Sequence, residues 1–168
     1  MNSPIQPPLL RRLFVPLIFW IGIILPVAPV QSQQMPPRPV SISKWQDLNF
    51  GTFCCGTTGS TVTVTSDGLR SYSGDIVLIA SSLLSAAKFD VDAVATTMIH
   101  VLNGPDVEML GPNGGKMILT LGDSDPLSPF SASFTTSTIS IGGTLTVVSE
   151  TLPAGNYSCT FDITFIQE

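Results

Sequence analysis

The chain has 168 residues, of which only 11% are charged, and its formal net charge at pH 7 is −5. A weakly charged, acidic surface repels phosphate backbones, which disfavours nucleic acid as a partner. The many Val, Ile and Phe residues disfavour a disordered tail, and the length fits one domain.

The first 32 residues are predicted to be a signal peptide. Its parts follow in the expected order: a basic start at Arg11 and Arg12, an apolar stretch from Leu13 to Leu25, and a small-residue cleavage site at 30–32. We expect the mature chain to begin near Gln33. The apolar stretch is short for a membrane span, which needs about 20 residues, although an uncleaved anchor stays an alternative. The arginine pair also resembles a twin-arginine signal, but the hydrophobic stretch favours the general secretory route.

Residues 33–39 form a proline-rich arm that precedes the predicted domain, 40–168. Pro36, Pro37 and Pro39 have no backbone N–H, so this arm favours an extended conformation over a strand ladder. Without residues 1–32, which hold two arginines and no acid, five basic residues stand against twelve acidic ones, a formal charge of −7.

Alternating apolar and polar residues predict an all-β domain of about nine short strands. Turn signals recur roughly every 8–12 residues, as in a sandwich or barrel, and no window predicts an amphipathic helix. Trp45, Leu48 and Phe50 are the predicted core residues of the first strand, and Asp67-Gly68 predicts a hairpin. The predicted strands cover 40–50, 60–66, 75–80, 86–93, 97–103, 116–122, 130–134, 139–147 and 157–166.

The last predicted strand has the clearest alternation in the chain. Its inward face is predicted to hold Tyr157, Cys159, Phe161, Ile163 and Phe165, with Ser158, Thr160, Asp162 and Thr164 facing water. Phe161, Ile163 and Phe165 are therefore a candidate strand-pairing face, covered by the protein's own fold or by a partner's strand.

Three cysteines in an exported chain suggest one disulfide and one remaining thiol. Cys159 lies on the inward face, and adjacent residues Cys54 and Cys55 point in opposite directions, so only one of them can readily reach it. We expect a bridge from Cys54 or Cys55 to Cys159. A Cys54–Cys55 bridge, or three reduced thiols, are the alternatives.

The sequence offers few parts for catalysis or for binding a cofactor. His100 is the only histidine, and it is predicted to face water between inward Ile99 and Val101. No Gly-x-Ser-x-Gly elbow is present, although a spatial Ser/His/Asp triad stays open. Asp123 and Asp125 are weak calcium candidates in a predicted loop, since calcium needs about six to eight oxygens. We therefore predict no enzyme activity, no cofactor and no metal site.

Four blocks resemble a bacterial family known as domain of unknown function 4402. They are Gln46–Phe53, Ser60–Val64, Ile141–Val147 and Leu152–Phe161. The resemblance covers about residues 40–167, and it implies an exported immunoglobulin-like antiparallel β-sandwich of about 8–9 strands, similar to fimbrial subunits. The three cysteines are not part of these blocks.

The end of the chain adds a resemblance to pilus subunits. Those subunits have a glycine 14 residues from the C-terminus, which Gly155 matches, followed by alternating apolar residues; their penultimate tyrosine is replaced here by Gln167. The expected function is a fimbria-like structural or adhesive protein in the periplasm, at the cell surface or outside the cell. Its expected partners are copies of itself or pilus subunits, joined by strand pairing. The alternatives are a monomeric binding module for carbohydrate or another ligand and, less favoured, a hydrolase.

Overall fold

The computed structural model describes residues 39–54, 57–80, 83–134, 136–150 and 152–168. In these ranges the regular structure is β-strand, apart from one 3-10 turn at Pro112–Gly114. The strands are β1 (Ser41–Gln46), β2 (Phe53–Cys54), β3 (Thr61–Val64), β4 (Arg70–Ser73), β5 (Val77–Leu78), β6 (Ala87–Asp92), β7 (Met98–Asn103), β8 (Val107–Leu110), β9 (Lys116–Asp125), β10 (Phe130–Ser131), β11 (Ser137–Val147) and β12 (Ile163–Gln167).

The largest sheet is organised around β11, and all its pairings are antiparallel. One side of β11 pairs with β6 through 137–141 and then with β3 through 143–146, while the other side pairs with β9. β1 extends the sheet beyond β6, β4 beyond β3, and β8 beyond β9. A β-bulge between Ile141 and Gly143 marks the point where β11 changes partners, as the glycine pair in the sequence predicts.

The opposing layer consists of two small sheets and extended segments. β7 lies between β10 and β12, and β2 pairs with β5. The chain is therefore an all-β antiparallel sandwich, as the alternating sequence predicts. Period-two alternation gives each strand one apolar face, and the two layers bury these faces against one another.

Two apolar clusters fill the sandwich. One cluster lies between β6, β11 and the β10-β7-β12 sheet, with Val91, Ile99 and Ile139 fully buried. The other lies on β3, β9 and β11, with Val62, Met117 and Leu145 buried. Half-buried residues cover this second cluster: Leu48, Phe53, Leu78, Leu121, Leu152, Tyr157, Cys159 and Phe161. The cover of the second cluster is therefore mostly extended chain and not a continuous sheet.

Several predicted core positions and strands are wrong. Trp45, a predicted core residue, is 54% exposed at the register shift of β1 between Lys44 and Gln46. The predicted strand at 130–134 forms only the two-residue β10. The predicted central strand at 75–80 forms only the two-residue β5. Residues 107–110, predicted as loop, form β8 at a sheet edge.

For the last strand, the prediction of which side chains face inward is correct, but the prediction of where the strand pairs is wrong. Burial alternates from Tyr157 to Glu168, with the odd positions half-buried and the even positions exposed. Strand pairing, however, begins only at Ile163. Residues 156–162 are extended without belonging to a sheet.

Candidate functional site

An open groove runs over the second apolar cluster, between residues 48–54 and residues 152–161. We call it the strand groove. Its volume is about 820 Å³, and buried side chains of β9 and β11 form its floor, among them Met117, Leu119 and Leu145. A smaller cavity of about 350 Å³ adjoins it between β1 and β12 and shares Cys159 and Phe161 with it.

Residues 156–161 form the first rim of the strand groove. Tyr157, Cys159 and Phe161 pack toward the apolar cluster, so the intervening N–H and C=O groups lie in the plane of the layer. Among the described residues, no backbone hydrogen bond joins 156–161 to another segment. The first such bond is donated by Gly104 N to Asp162 O over 2.8 Å, after which β12 pairs with β7.

Tyr157 fixes this rim in place. The Tyr157 hydroxyl donates a 2.7 Å hydrogen bond to the Pro153 carbonyl, an arrangement that resembles the tyrosine corner of Greek-key sandwiches. The tyrosine ring lies so close to Gly111 and Gly115 that a Cβ at either glycine would overlap it. Burial raises the pKa of Tyr157, which keeps the hydroxyl protonated as a donor.

Residues 48–54 form the second rim of the strand groove. Asn49 and Ser85 exchange two backbone hydrogen bonds of 2.8 and 2.9 Å, and Ile79 N donates to Thr52 O over 3.0 Å. The Arg70 guanidinium donates to the Phe50 carbonyl at 3.0 Å and to the Ile79 carbonyl at 3.0 Å. These bonds tie the rim to β4, to Ile79 after β5 and to Ser85.

Few charged side chains border the two cavities. Among the described lining residues the charges are Lys44, Asp47 and Asp162, and the Lys44 ammonium bonds the Asp47 carboxylate. Asp162 therefore leaves a small negative balance at the smaller cavity.

The candidate cysteines meet at this groove. Cys54, which is exposed, and Cys159, which is half-buried, line it from opposite rims, while Cys55 lies outside the described residues. Cys159 is a free thiol in this structure, and burial raises its pKa. The bridge from Cys54 or Cys55 to Cys159 stays a prediction.

The candidate strand-pairing residues also border the cavities. Phe161 lies on the first rim, and Ile163 and Phe165 belong to β12. All three side chains are half-buried. The Phe165 ring lies 5.8 Å from the ring of Phe89 on β6. Phe53 and Leu152 also pack against the cluster, and no sequence pattern predicted either of them as a core residue.

The other candidate residues lie apart from the groove. The side chain of His100 on β7 is 32% exposed, and its Nε2 lies 3.3 Å from a Glu168 carboxylate oxygen. Asp123 and Asp125 are exposed positions of β9, so their predicted loop is wrong. Within the described ranges, no three His, Cys, Asp or Glu side chains are placed to hold a metal ion.

The fold and the groove define an all-β sandwich domain with an open cleft between two extended segments. Residues 40–166 match the family described as domain of unknown function (DUF4402), and the chain belongs to this family. No curated protein and no solved structure matches it. The described part of the chain contains no helix long and apolar enough to cross a membrane.

Proposed function

We propose that the protein is an exported structural or adhesive surface protein, fimbria-like, that works by assembling with other subunits through strand pairing. The observation that carries this proposal is the strand groove. The groove lies over an apolar cluster, both of its rims are extended chain, and among the described residues the first rim, 156–161, has no backbone hydrogen bond to another segment.

Strand addition satisfies both features of such a groove at once. An added strand supplies main-chain partners for an unpaired edge, and its alternate side chains cover apolar floor. Residues 156–161 present such an edge in an extended conformation that Tyr157 already fixes. Because this edge is ordered before binding, less conformational entropy is lost when a strand is added.

The surroundings of the groove favour binding over catalysis. Its described lining residues include no histidine, and burial raises the pKa of Cys159, which disfavours the reactive thiolate there.

The alternative is a monomeric binding module, and Trp45 favours it. Its ring is exposed on the outer face of β1, where the Lys88 ammonium lies 5.3 Å from the ring centroid. An exposed indole can stack on a sugar ring, but here a lysine already covers one face.

The test measures the cellular location and the assembly state of the protein in its native host. We expect mass spectrometry to find a chain beginning near Gln33, and cross-linking of intact cells to trap it in ladders at the surface. A variant with Trp45→Ala should assemble normally, because Trp45 lies outside the groove. A cleaved protein that stays monomeric in the periplasm, or a chain that keeps residues 1–25, contradicts the proposal.

A further inference from the structure

We propose that Asn113 is a site of spontaneous covalent modification, at which the Asn113-Gly114 peptide cyclises to a succinimide and then opens to aspartate or isoaspartate. Water is the only co-reactant that this change needs. The fold directs the reaction to Asn113 and protects the second Asn-Gly pair of the chain, Asn103-Gly104. The modification does not depend on how the protein assembles.

The chemistry is an attack of the main chain on a neighbouring side chain. The Gly114 nitrogen loses its proton and forms a bond to Cγ of Asn113, and the side-chain nitrogen leaves as ammonia. Water then adds to one of the two ring carbonyls. Opening at one carbonyl gives aspartate, and opening at the other gives isoaspartate, whose main chain runs through the former side chain. A glycine after the asparagine favours the attack, because no Cβ shields the attacking nitrogen.

Asn113 lies at the tip of the turn between β8 and β9, where little opposes the rotation that brings the nitrogen to Cγ. Its φ of 54° and ψ of 31° lie in the left-handed region, which asparagine tolerates better than most residues. Gly114, with a φ of 79°, is exposed as Asn113 is, and a Cβ there would meet no atom within 4 Å. Among the described residues, no hydrogen bond holds the Asn113 side chain. The turn bond across the tip, from Gly115 N to the Pro112 carbonyl, is 3.2 Å long and therefore weak.

Asn103-Gly104 is the same dipeptide in a place where the fold opposes the attack. The Gly104 nitrogen donates a 2.8 Å hydrogen bond to the Asp162 carbonyl, and the Asn103 side-chain nitrogen donates one of 2.8 Å to the Gly122 carbonyl. Asn103 also pairs with Ile163 of β12. Neighbouring segments therefore hold both the attacking nitrogen and the amide that it would attack. Exposure does not explain the difference, because Asn103 is exposed as well.

The other described asparagines precede aromatic residues. Asn49 is followed by Phe50, and Asn156 is followed by Tyr157. A Cβ and a ring beside the nitrogen hinder its approach to Cγ, and the Asn49 side-chain oxygen also accepts a 2.8 Å bond from Gly51 N. Within the part of the chain that the structure describes, Asn113 is therefore the asparagine at which both the dipeptide and the fold favour cyclisation.

The test follows both Asn-Gly pairs of the wild-type protein in one experiment. Folded protein and protein unfolded in urea are incubated in mildly alkaline buffer, and peptide mapping by mass spectrometry measures the loss of each side-chain amide. We expect Asn113 to convert at least about tenfold faster than Asn103 in the folded protein, because conversion of Asn103 requires local unfolding. In urea, where no fold restrains either dipeptide, the two rates should lie within about threefold of each other.

A variant identifies the product and its position. Asn113→Gly removes the reactive amide and suits the positive φ at this position, so the fold should be kept. Isoaspartyl methyltransferase should label the incubated wild-type protein and leave incubated Asn113→Gly almost unlabelled.

Four outcomes would overturn the inference. They are equal rates at the two positions in the folded protein, faster conversion of Asn103, an Asn113 that keeps its amide when folded, and an equally strong preference for Asn113 in urea. Labelling of the variant to the same extent as the wild type would also contradict it.

Discussion

At the residue scale, Tyr157 is the contact that holds the extended C-terminal segment in place. Removing its hydroxyl in Tyr157→Phe loses the 2.7 Å bond to the Pro153 carbonyl while keeping the ring against Gly111. We expect the free energy of unfolding to fall by about 1 kcal/mol. Urea denaturation measures this change, and Tyr72→Phe on exposed β4 is the matched control, expected to be neutral. Equal effects of the two substitutions would show that the Tyr157 bond contributes nothing.

Asp75 is a second residue with a defined electrostatic role. Its carboxylate accepts hydrogen bonds from Thr57 N at 2.9 Å, Thr57 Oγ1 at 3.1 Å and Ser60 Oγ at 2.8 Å. These bonds, that from the Thr57 backbone first, lower the pKa of Asp75. The carboxylate therefore joins the turn after β2 to the start of β5.

The pH dependence of stability follows from that lowered pKa. A folded pKa below the unfolded value of about 3.9 gives stability that is present above that value and is lost as the pH falls through the folded pKa. We expect Asp75→Asn to make unfolding less dependent on pH below about pH 4. Denaturation midpoints measured across this range, with Asp67→Asn in the exposed hairpin as control, test it. A pH profile identical to that of the wild type contradicts the role.

At the element scale, Gly142 allows β11 to pass from β6 to β3. A Cβ at Gly142 would overlap backbone atoms of Val64, Thr65 and Ser66, which cannot move aside as a flexible side chain can. We expect Gly142→Ala to destabilise the protein by about 1–3 kcal/mol. The control is Gly122→Ala, whose Cβ would meet Gly142 at an ordinary 3.7 Å and should be tolerated. Thermal unfolding distinguishes the two, and similar melting temperatures would contradict this account of the bulge.

The faces of β12 give a second prediction at this scale. Ile163 packs against the first apolar cluster, whereas Thr164 points to solvent from the adjacent position. We expect Ile163→Asp to cost more than about 2 kcal/mol, because it places a carboxylate against apolar side chains. Thr164→Asp adds the same charge on the other face and should be nearly neutral. A fully folded Ile163→Asp variant, judged by circular dichroism and chemical denaturation, would mean that this face is not a core face.

The sequence pattern predicts which side chains of a strand are buried better than it predicts which strands pair. The alternation from Tyr157 to Phe165 identifies the half-buried side chains correctly, even where residues 156–162 join no sheet. Alternation depends on the residue's own strand direction, but a hydrogen-bonded neighbour depends on where a distant segment lies. The apolar run at 75–80 shows the same limit, since only Val77 and Leu78 find a partner strand.

At the scale of the whole molecule, the sequence could not predict the groove. The groove is a gap between two segments that are about 100 residues apart in sequence, and no strand fills it. Nothing in the sequence of residues 48–54 or 152–161 distinguishes them from ordinary extended chain. Only the topology, in which β1 pairs with β6 and β12 with β7, leaves the space between them open. The blocks that carry the family resemblance include both rims, Gln46–Phe53 and Leu152–Phe161.

The predicted disulfide would join these rims and close a loop of about 100 residues. In the chain-entropy model such a crosslink stabilises by about 4 kcal/mol, from which strain subtracts. We therefore expect Cys159→Ser to lower the melting temperature of the oxidised protein by roughly 10 °C. The same substitution under reducing conditions measures the packing change alone and should have a much smaller effect.

Paired single substitutions identify the partner of Cys159. Cys54 is exposed at the end of β2, and an extended chain directs alternate residues to opposite faces, so only the correct one of Cys54→Ser and Cys55→Ser should reproduce the loss seen with Cys159→Ser. Peptide mapping without reductant gives the connectivity directly. A free Cys159 in protein isolated from the oxidising compartment would rule out the bridge and leave the groove open to its partner.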